Sequence, residues 1–141
     1  MKTIAVIMGG YSSEFEISLK SGQVVYEQLD KGLYQVFRVH ILKNKWVVLD
    51  DAGIEYPIDK SDFSASIHNV IISFDCVFNA IHGSPGEDGY MQGYFELLGI
   101  PHTSCTMYQA ALTFNKRDLL ATLKPYGIRS CLLYTSDAAD D

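Results

Sequence analysis

Twelve residues, His82-Gly83-Ser84-Pro85-Gly86-Glu87-Asp88-Gly89-Tyr90-Met91-Gln92-Gly93, hold one imidazole, two carboxylates and four glycines directly behind the apolar run 76–81. Glycines at 83, 86, 89 and 93 relax the backbone and let it approach a ligand closely. His82 follows a buried strand, which puts its ring at the rim of a sheet. An imidazole in that place is either a satisfied structural group or a catalyst. Glu87 and Asp88 are either paired acids for proton transfer or caps for the helix that starts near Asp88, and the capping role suits their position better.

A second group lies near the start of the chain: Gly9-Gly10-Tyr11-Ser12-Ser13-Glu14-Phe15-Glu16-Ile17-Ser18. The third glycine of a dinucleotide fingerprint is absent. Glu14 stands at a helix start, where the helix dipole favours a carboxylate. Such a carboxylate can hold a ligand cation such as an ammonium group. Glu14 and Glu16 also fit the ordinary preference for acids in a first turn. Lys116 opens a late helix and is either a point charge for phosphate or a solvated surface lysine.

The elements that must carry these groups follow from apolar spacing. Residues 4–8 form a short continuous apolar run, as a parallel strand covered on both faces requires. Gly9-Gly10 ends it, and Ser12 or Ser13 suits the N-cap of the next helix. Residues 14–29 place Ile17, Val24, Val25 and Leu29 on one helical stripe. Residues 34–42 alternate as a second strand, and 46–49 follow as its hairpin partner. Residues 50–66 are polar and irregular, and they read as a surface excursion with one short helix at most. Residues 70–72 fit a helical end or a strand, and 75–81 a strong strand. Residues 90–98 are apolar at helical spacing and close on Gly99-Ile100-Pro101, a cap glycine followed by proline. Two helical segments follow, 106–114 and 116–123, with Asn115 as N-cap and Asp118 three positions on, in the manner of a capping box. The order predicts an α/β fold: a three-layer, Rossmann-like domain with a mainly parallel sheet. Ligands of such sheets collect beyond the carboxyl ends of the strands, where both glycine-rich loops begin.

Composition narrows the function classes. At 141 residues the chain is long enough for one domain with a real core. Its 48% hydrophobic and 20% charged residues argue against disorder. A net charge of −6 argues against nucleic acid, whose phosphates need clustered Lys and Arg. Cys76, Cys105 and Cys131 make neither an even set nor a metal-ligand spacing, so a reduced, cytoplasmic setting follows. The first apolar run is too short for a signal segment or a membrane span. The tail 131–141 shares none of the preceding patterning. It resembles translated adapter read-through and is set apart as a non-native or disordered tail, the alternative being a genuine acidic C-terminus.

Three segments together resemble the N-terminal part of the D-alanine–D-alanine ligases, ATP-grasp enzymes of peptidoglycan synthesis. The segment 4–19 is similar to that family's opening strand, Gly-Gly turn and Glu-x-Glu-[Val/Ile]-Ser helix start. Residues 82–93 fit its first signature, His-Gly-x-x-Gly-Glu-Asp-Gly-x-x-Gln-Gly, at every fixed position. Ala110-Ala111-Leu112-Thr113-Phe114-Asn115-Lys116 is like its Met-Asp-Lys entry to the central domain. The second segment is highly specific, the first less so, and the third is weak by itself.

The resemblance implies a pre-ATP-grasp N-terminal substrate domain over 1–114 and the truncated start of the central ATP-grasp domain over 115–130. It implies an ATP-dependent ligase that joins two D-alanines through an acyl phosphate in cell wall biogenesis. By carry-over, Glu14 pairs with the ammonium of the first D-alanine, Ser18, His82 and Gly83 build its subsite, and Lys116 contacts ATP phosphates. Magnesium or manganese bridges the nucleotide phosphates, with metal ligands in the family's C-terminal part and none in this chain. Homodimerisation of the full-length protein is a further implication. Phe15 departs from the polar residue usual between the two glutamates, and Asn115 from the usual Asp. The chain also stops where the central domain should start, so it is expected to be inactive alone. A ligase joining D-alanine to D-lactate or D-serine fits the same residues, and a non-catalytic small-ligand-binding α/β module is the reading from another class.

Overall fold

The computed structural model describes residues 1–129. The tail reading for 131–141, and Cys131 with it, lie outside the described residues. In chain order the elements are β1 (Lys2–Gly9), α1 (Phe15–Gln28), β2 (Tyr34–Ile41), β3 (Trp46–Leu49), β4 (Glu55–Asp59), β5 (Ser64–Ile67), β6 (Val70–Ile72), β7 (Cys76–Asn79), α2 (Tyr90–Leu98), α3 (Met107–Phe114) and α4 (Lys116–Leu123). The strands form one sheet in the order β6-β5-β4-β3-β2-β1-β7.

Successive side chains of a strand point to opposite faces, and β1 uses both. Ala5 and Ile7 face the larger core, with Val39, Val77 and the α2 residues Met91 and Phe95. Val6 and Met8 face α1, whose Leu19, Val25 and Leu29 pack against them. Helix, sheet and helix thus make three layers, and the α/β class holds.

The expected parallel character is confined to the centre. β1 pairs in parallel with β2 and β7. From β2 outward through β6, each of the four pairings is antiparallel, so the sheet as a whole is mixed. The cause is connection length, since short links admit only antiparallel neighbours and parallel ones need a long crossover. The segment expected as a surface excursion supplies two of these strands, β4 and β5. They curl so that Phe63, in the turn between them, is fully buried. Its ring lies 4.9 Å from that of Phe95 and 5.4 Å from that of Phe74. The edge-on Phe63–Phe95 contact and the tilted Phe63–Phe74 contact close the core beneath α2.

The stripe expected on α1 is corrected in part. Ile17 and Val24 are exposed, while the fully inward positions are Ser18 and Gly22. A β-carbon on Gly22 would stand 2.6 Å from the Met8 β-carbon. The helix therefore packs closer to β1 than an apolar side chain would allow.

Candidate functional site

Because β1 and β7 run parallel, the loops that follow Gly9 and Asn79 leave the same end of the sheet. Gly9 and Gly10 both have φ above +90°, which L side chains avoid. A β-carbon on Gly10 would also meet Ile81 Cγ2 at 2.6 Å and the Ser84 carbonyl at 3.0 Å. The first loop thus lies directly on the second.

Hydrogen bonds join the loops at three levels. At the base, the Ser18 hydroxyl accepts from the Gly9 N–H and donates to the Ala80 carbonyl, both at 2.8 Å. In the middle, Tyr11 N–H donates to the Ser84 carbonyl at 2.8 Å. At the top, Ser12 Oγ donates to the His82 carbonyl at 2.8 Å and accepts from the Glu14 N–H at 3.2 Å. Ser12 therefore acts partly as the expected cap, although Glu14 itself occupies the N-cap position without a side-chain bond.

Glu14 is exposed. Its Oε2 lies 3.6 Å from where a β-carbon on Gly83 would sit. Gly83, at φ +71°, has room for no such atom, because Ser12 Cβ and Oγ would stand 2.8 Å from it. The Gly83 N–H donates to Glu87 Oε2 at 2.9 Å. Glu87 thus braces the turn that starts at Gly83, where it was expected to cap α2. Asp88 meets that expectation only at long range, taking the Tyr90 N–H at 3.4 Å. The His82 ring reaches back to α1, with Nε2 3.0 Å from Ser21 Oγ.

Glu14 and Gly83 are therefore neighbours, while His82, next to Gly83 in the chain, turns its ring to Ser21. Ser18 stands beneath them with 0% of its surface exposed, and its hydroxyl joins the two loops. Lys116 stands apart, exposed at the start of α4. Asn115 caps that helix as expected, taking the Asp118 N–H at 3.2 Å. Phe15, the residue that departs from the polar pattern, packs against the first loop; its Cε2 would stand 3.2 Å from a β-carbon on Gly9.

Sequence reasoning missed Ser21, which lies three residues after Ser18 and hence on the same helix face. It also missed the Asn79 side chain. That amide donates to the Gly86 carbonyl and Ser104 Oγ and accepts from the Ile81 N–H. A cavity of about 460 Å³ opens on the far side of the second loop, bordered by Asn79, Glu87, Gln92 and Phe114, and does not include Glu14 or His82. Among the described residues, no group of three or more His, Cys, Asp or Glu is placed to hold a metal ion. Among the described residues, no helix is long and apolar enough to cross a membrane.

The family described as D-ala D-ala ligase N-terminus matches residues 3–105, which include both loops. The chain belongs to the D-alanine–D-alanine ligase family. It is 61% identical over 141 residues to a D-alanine–D-alanine ligase of Flavobacterium johnsoniae, covering all of this chain and 44% of that one. The chain thus spans less than half the length of that relative. Among solved structures it resembles D-alanyl-alanine synthetase A of Vibrio cholerae, at 32% identity and a TM-score of 0.81, over 93% of this chain and 39% of that one. It also resembles VanG D-Ala:D-Ser ligase of Enterococcus faecalis, at 31% identity and a TM-score of 0.77, over 90% of this chain and 42% of that one. The ligase N-terminal fold is therefore shared by enzymes named for different second substrates.

Proposed function

We propose that this chain is the N-terminal part of an ATP-dependent ligase that joins two D-alanines for peptidoglycan synthesis in the cytoplasm. Residues 1–114 form its substrate domain and residues from 115 begin the central ATP-grasp domain. The observation that carries this reading is the junction of the two loops, in which the Glu14 carboxylate lies beside Gly83 and Ser12 bonds the His82 carbonyl.

A zwitterionic amino acid needs an anion for its ammonium group and donors for its carboxylate. Glu14 supplies the anion, as a charge-assisted partner at a helix start. His82 borders the same subsite, and Ser18 holds both loops in register from below. ATP supplies the phosphoryl group that turns the first D-alanine's carboxylate into an acyl phosphate. The amine of the second D-alanine then forms the amide bond, and the acyl C–O bond to phosphate breaks. Lys116 offers a point charge to the nucleotide phosphates. The full-length protein acts as a homodimer, with its metal ligands in the C-terminal part.

The second D-alanine subsite is not built from these residues, and D-serine or D-lactate remains the alternative there. The shared fold of the VanG D-Ala:D-Ser ligase supports keeping that alternative.

A hybrid tests the proposal. Residues 1–114 of this chain replace the matching part of the Flavobacterium johnsoniae ligase, and ATP-dependent phosphate release is followed with D-alanine. Release that depends on D-alanine and collapses in Glu14→Gln supports the reading. A folded hybrid whose turnover ignores Glu14→Gln contradicts it. The isolated 141-residue chain should show no turnover.

A further inference from the structure

We propose that Ser21 is a positioning residue: its hydroxyl donates to Nε2 of His82, which places the ring proton on Nδ1 and leaves that N–H for the ligand. The inference rests on the reading of the Glu14–His82 subsite and adds to it the chemical role of the imidazole.

The geometry comes first. Ser21 Oγ stands 3.0 Å from His82 Nε2, within hydrogen-bonding range, in a half-buried setting that links α1 to the second loop. A helical serine or threonine commonly turns its hydroxyl back to a carbonyl one turn earlier. Thr113 does so in α3, donating to the Gln109 carbonyl at 2.7 Å. Ser21 makes no such bond among the described residues, and the imidazole is its partner.

Two assignments of the shared hydrogen are open to such a pair, because neutral imidazole has one donor and one acceptor nitrogen. If Nε2–H donated, the serine proton would have no acceptor within the chain and would depend on solvent. If serine donates, both groups are satisfied and Nδ1 carries the remaining proton. The subsite also calls for this outcome. Glu14 already provides the acceptor for an ammonium group, whereas the nearby Gly83 N–H is taken by Glu87. An Nδ1–H on His82 would supply a donor for a carboxylate beside Gly83. The bond of one ring nitrogen sets the tautomer of the other.

Long-range ¹H–¹⁵N spectra of the histidine side chains in the 141-residue chain test this at about pH 8.5, some two units above the ordinary imidazole value. His82 is assigned by the loss of its signals in His82→Gln. In the unaltered chain, Nε2 should give the shift of an unprotonated nitrogen and Nδ1 that of a protonated one. Ser21→Ala should move His82 to the Nε2–H form that dominates in free imidazoles, while Ser21→Thr should keep the original pattern. The His40 and His102 signals report that the fold is intact. A protonated Nε2 in the unaltered chain overturns the proposal even if the variants fail to fold. An unchanged His82 pattern in a folded Ser21→Ala variant overturns it as well. No amino acid enters this measurement, so its failure is separate from a failure of D-alanine to bind.

Discussion

Ser12 donates its hydroxyl proton to the carbonyl of His82 at 2.8 Å, across 70 residues of chain. That bond makes the two strand-end loops a single structure. Its consequence is that the Glu14 side chain, two residues beyond Ser12, lies beside Gly83, the residue that follows His82.

Ser18 is the deepest part of the junction. Ser18→Ala would orphan the Gly9 N–H and the Ala80 carbonyl in a fully buried place. Each unsatisfied group costs roughly 1–3 kcal/mol, so for the two a loss of about 2–6 kcal/mol is expected. Urea unfolding of the chain measures it, and a loss below about 0.5 kcal/mol, within the range of an ordinary surface change, would show that the loops do not depend on this hydroxyl.

Gly22 sets two opposing terms against each other. Alanine is favoured over glycine in a helix by about 1 kcal/mol. A β-carbon on Gly22, however, would sit 2.6 Å from Met8 Cβ, which cannot swing away as the Met8 thioether can. Overpacking of this kind costs about 1–3 kcal/mol. Gly22→Ala should therefore lower the urea midpoint, and a raised midpoint would mean that α1 sits looser on β1 than described.

The same contact explains where sequence reading failed. An apolar stripe through Ile17 and Val24 presumes that the buried face of a helix is the greasy one. Here the closest approach needs small residues, and Ser18 and Gly22 take the inner positions while Ile17 and Val24 face outward. Strands β4 and β5 were missed for a related reason. Ile58, Phe63 and Ala65 are isolated buried apolar residues among Asp, Ser and Lys, too few to give a period-2 signal over four or five positions. The helix Tyr90–Leu98 was legible to the residue, because Gly89 and Gly99 bracket it with left-handed backbone and its apolar spacing is regular. The loop motif was legible in composition. The contacts that join it to the first loop, through Ser12 and Ser21, lie about 60–70 residues apart in sequence and no local pattern encodes them.

Acid should destabilise the chain through three turn and strand-end carboxylates. The Ile54 N–H, with Tyr56 and the Ala52 N–H, holds Asp50 below the usual value of 3.8. The Ser61 hydroxyl and N–H do the same for Asp59. The Thr3 N–H, followed by Lys2, does so for Asp75. A carboxyl whose folded value is depressed binds its proton later than in the unfolded chain. Its contribution is complete above the unfolded value and is lost as pH falls through the folded one. His40, held below the usual imidazole value by burial and then by Arg38, is likewise depressed, so the urea midpoint should begin to fall as pH drops below about 6.5. The three carboxyls should add a second drop below about pH 4, since unfolded Asp titrates near 3.9. Asp75→Asn should make that drop shallower, and an identical acid limb in the variant would remove Asp75 from the account.

The central claim is that Glu14 and His82 border one amino-acid subsite, and amide chemical shifts of the chain during titration with D-alanine test it most directly. Shifts should concentrate in residues 12–18 and 82–87, and Glu14→Gln should weaken binding roughly ten- to a hundredfold, the range for one hydrogen bond to a charged group. Saturable shifts centred on other residues, or shifts in both loops that Glu14→Gln leaves unaltered in a folded chain, would contradict it.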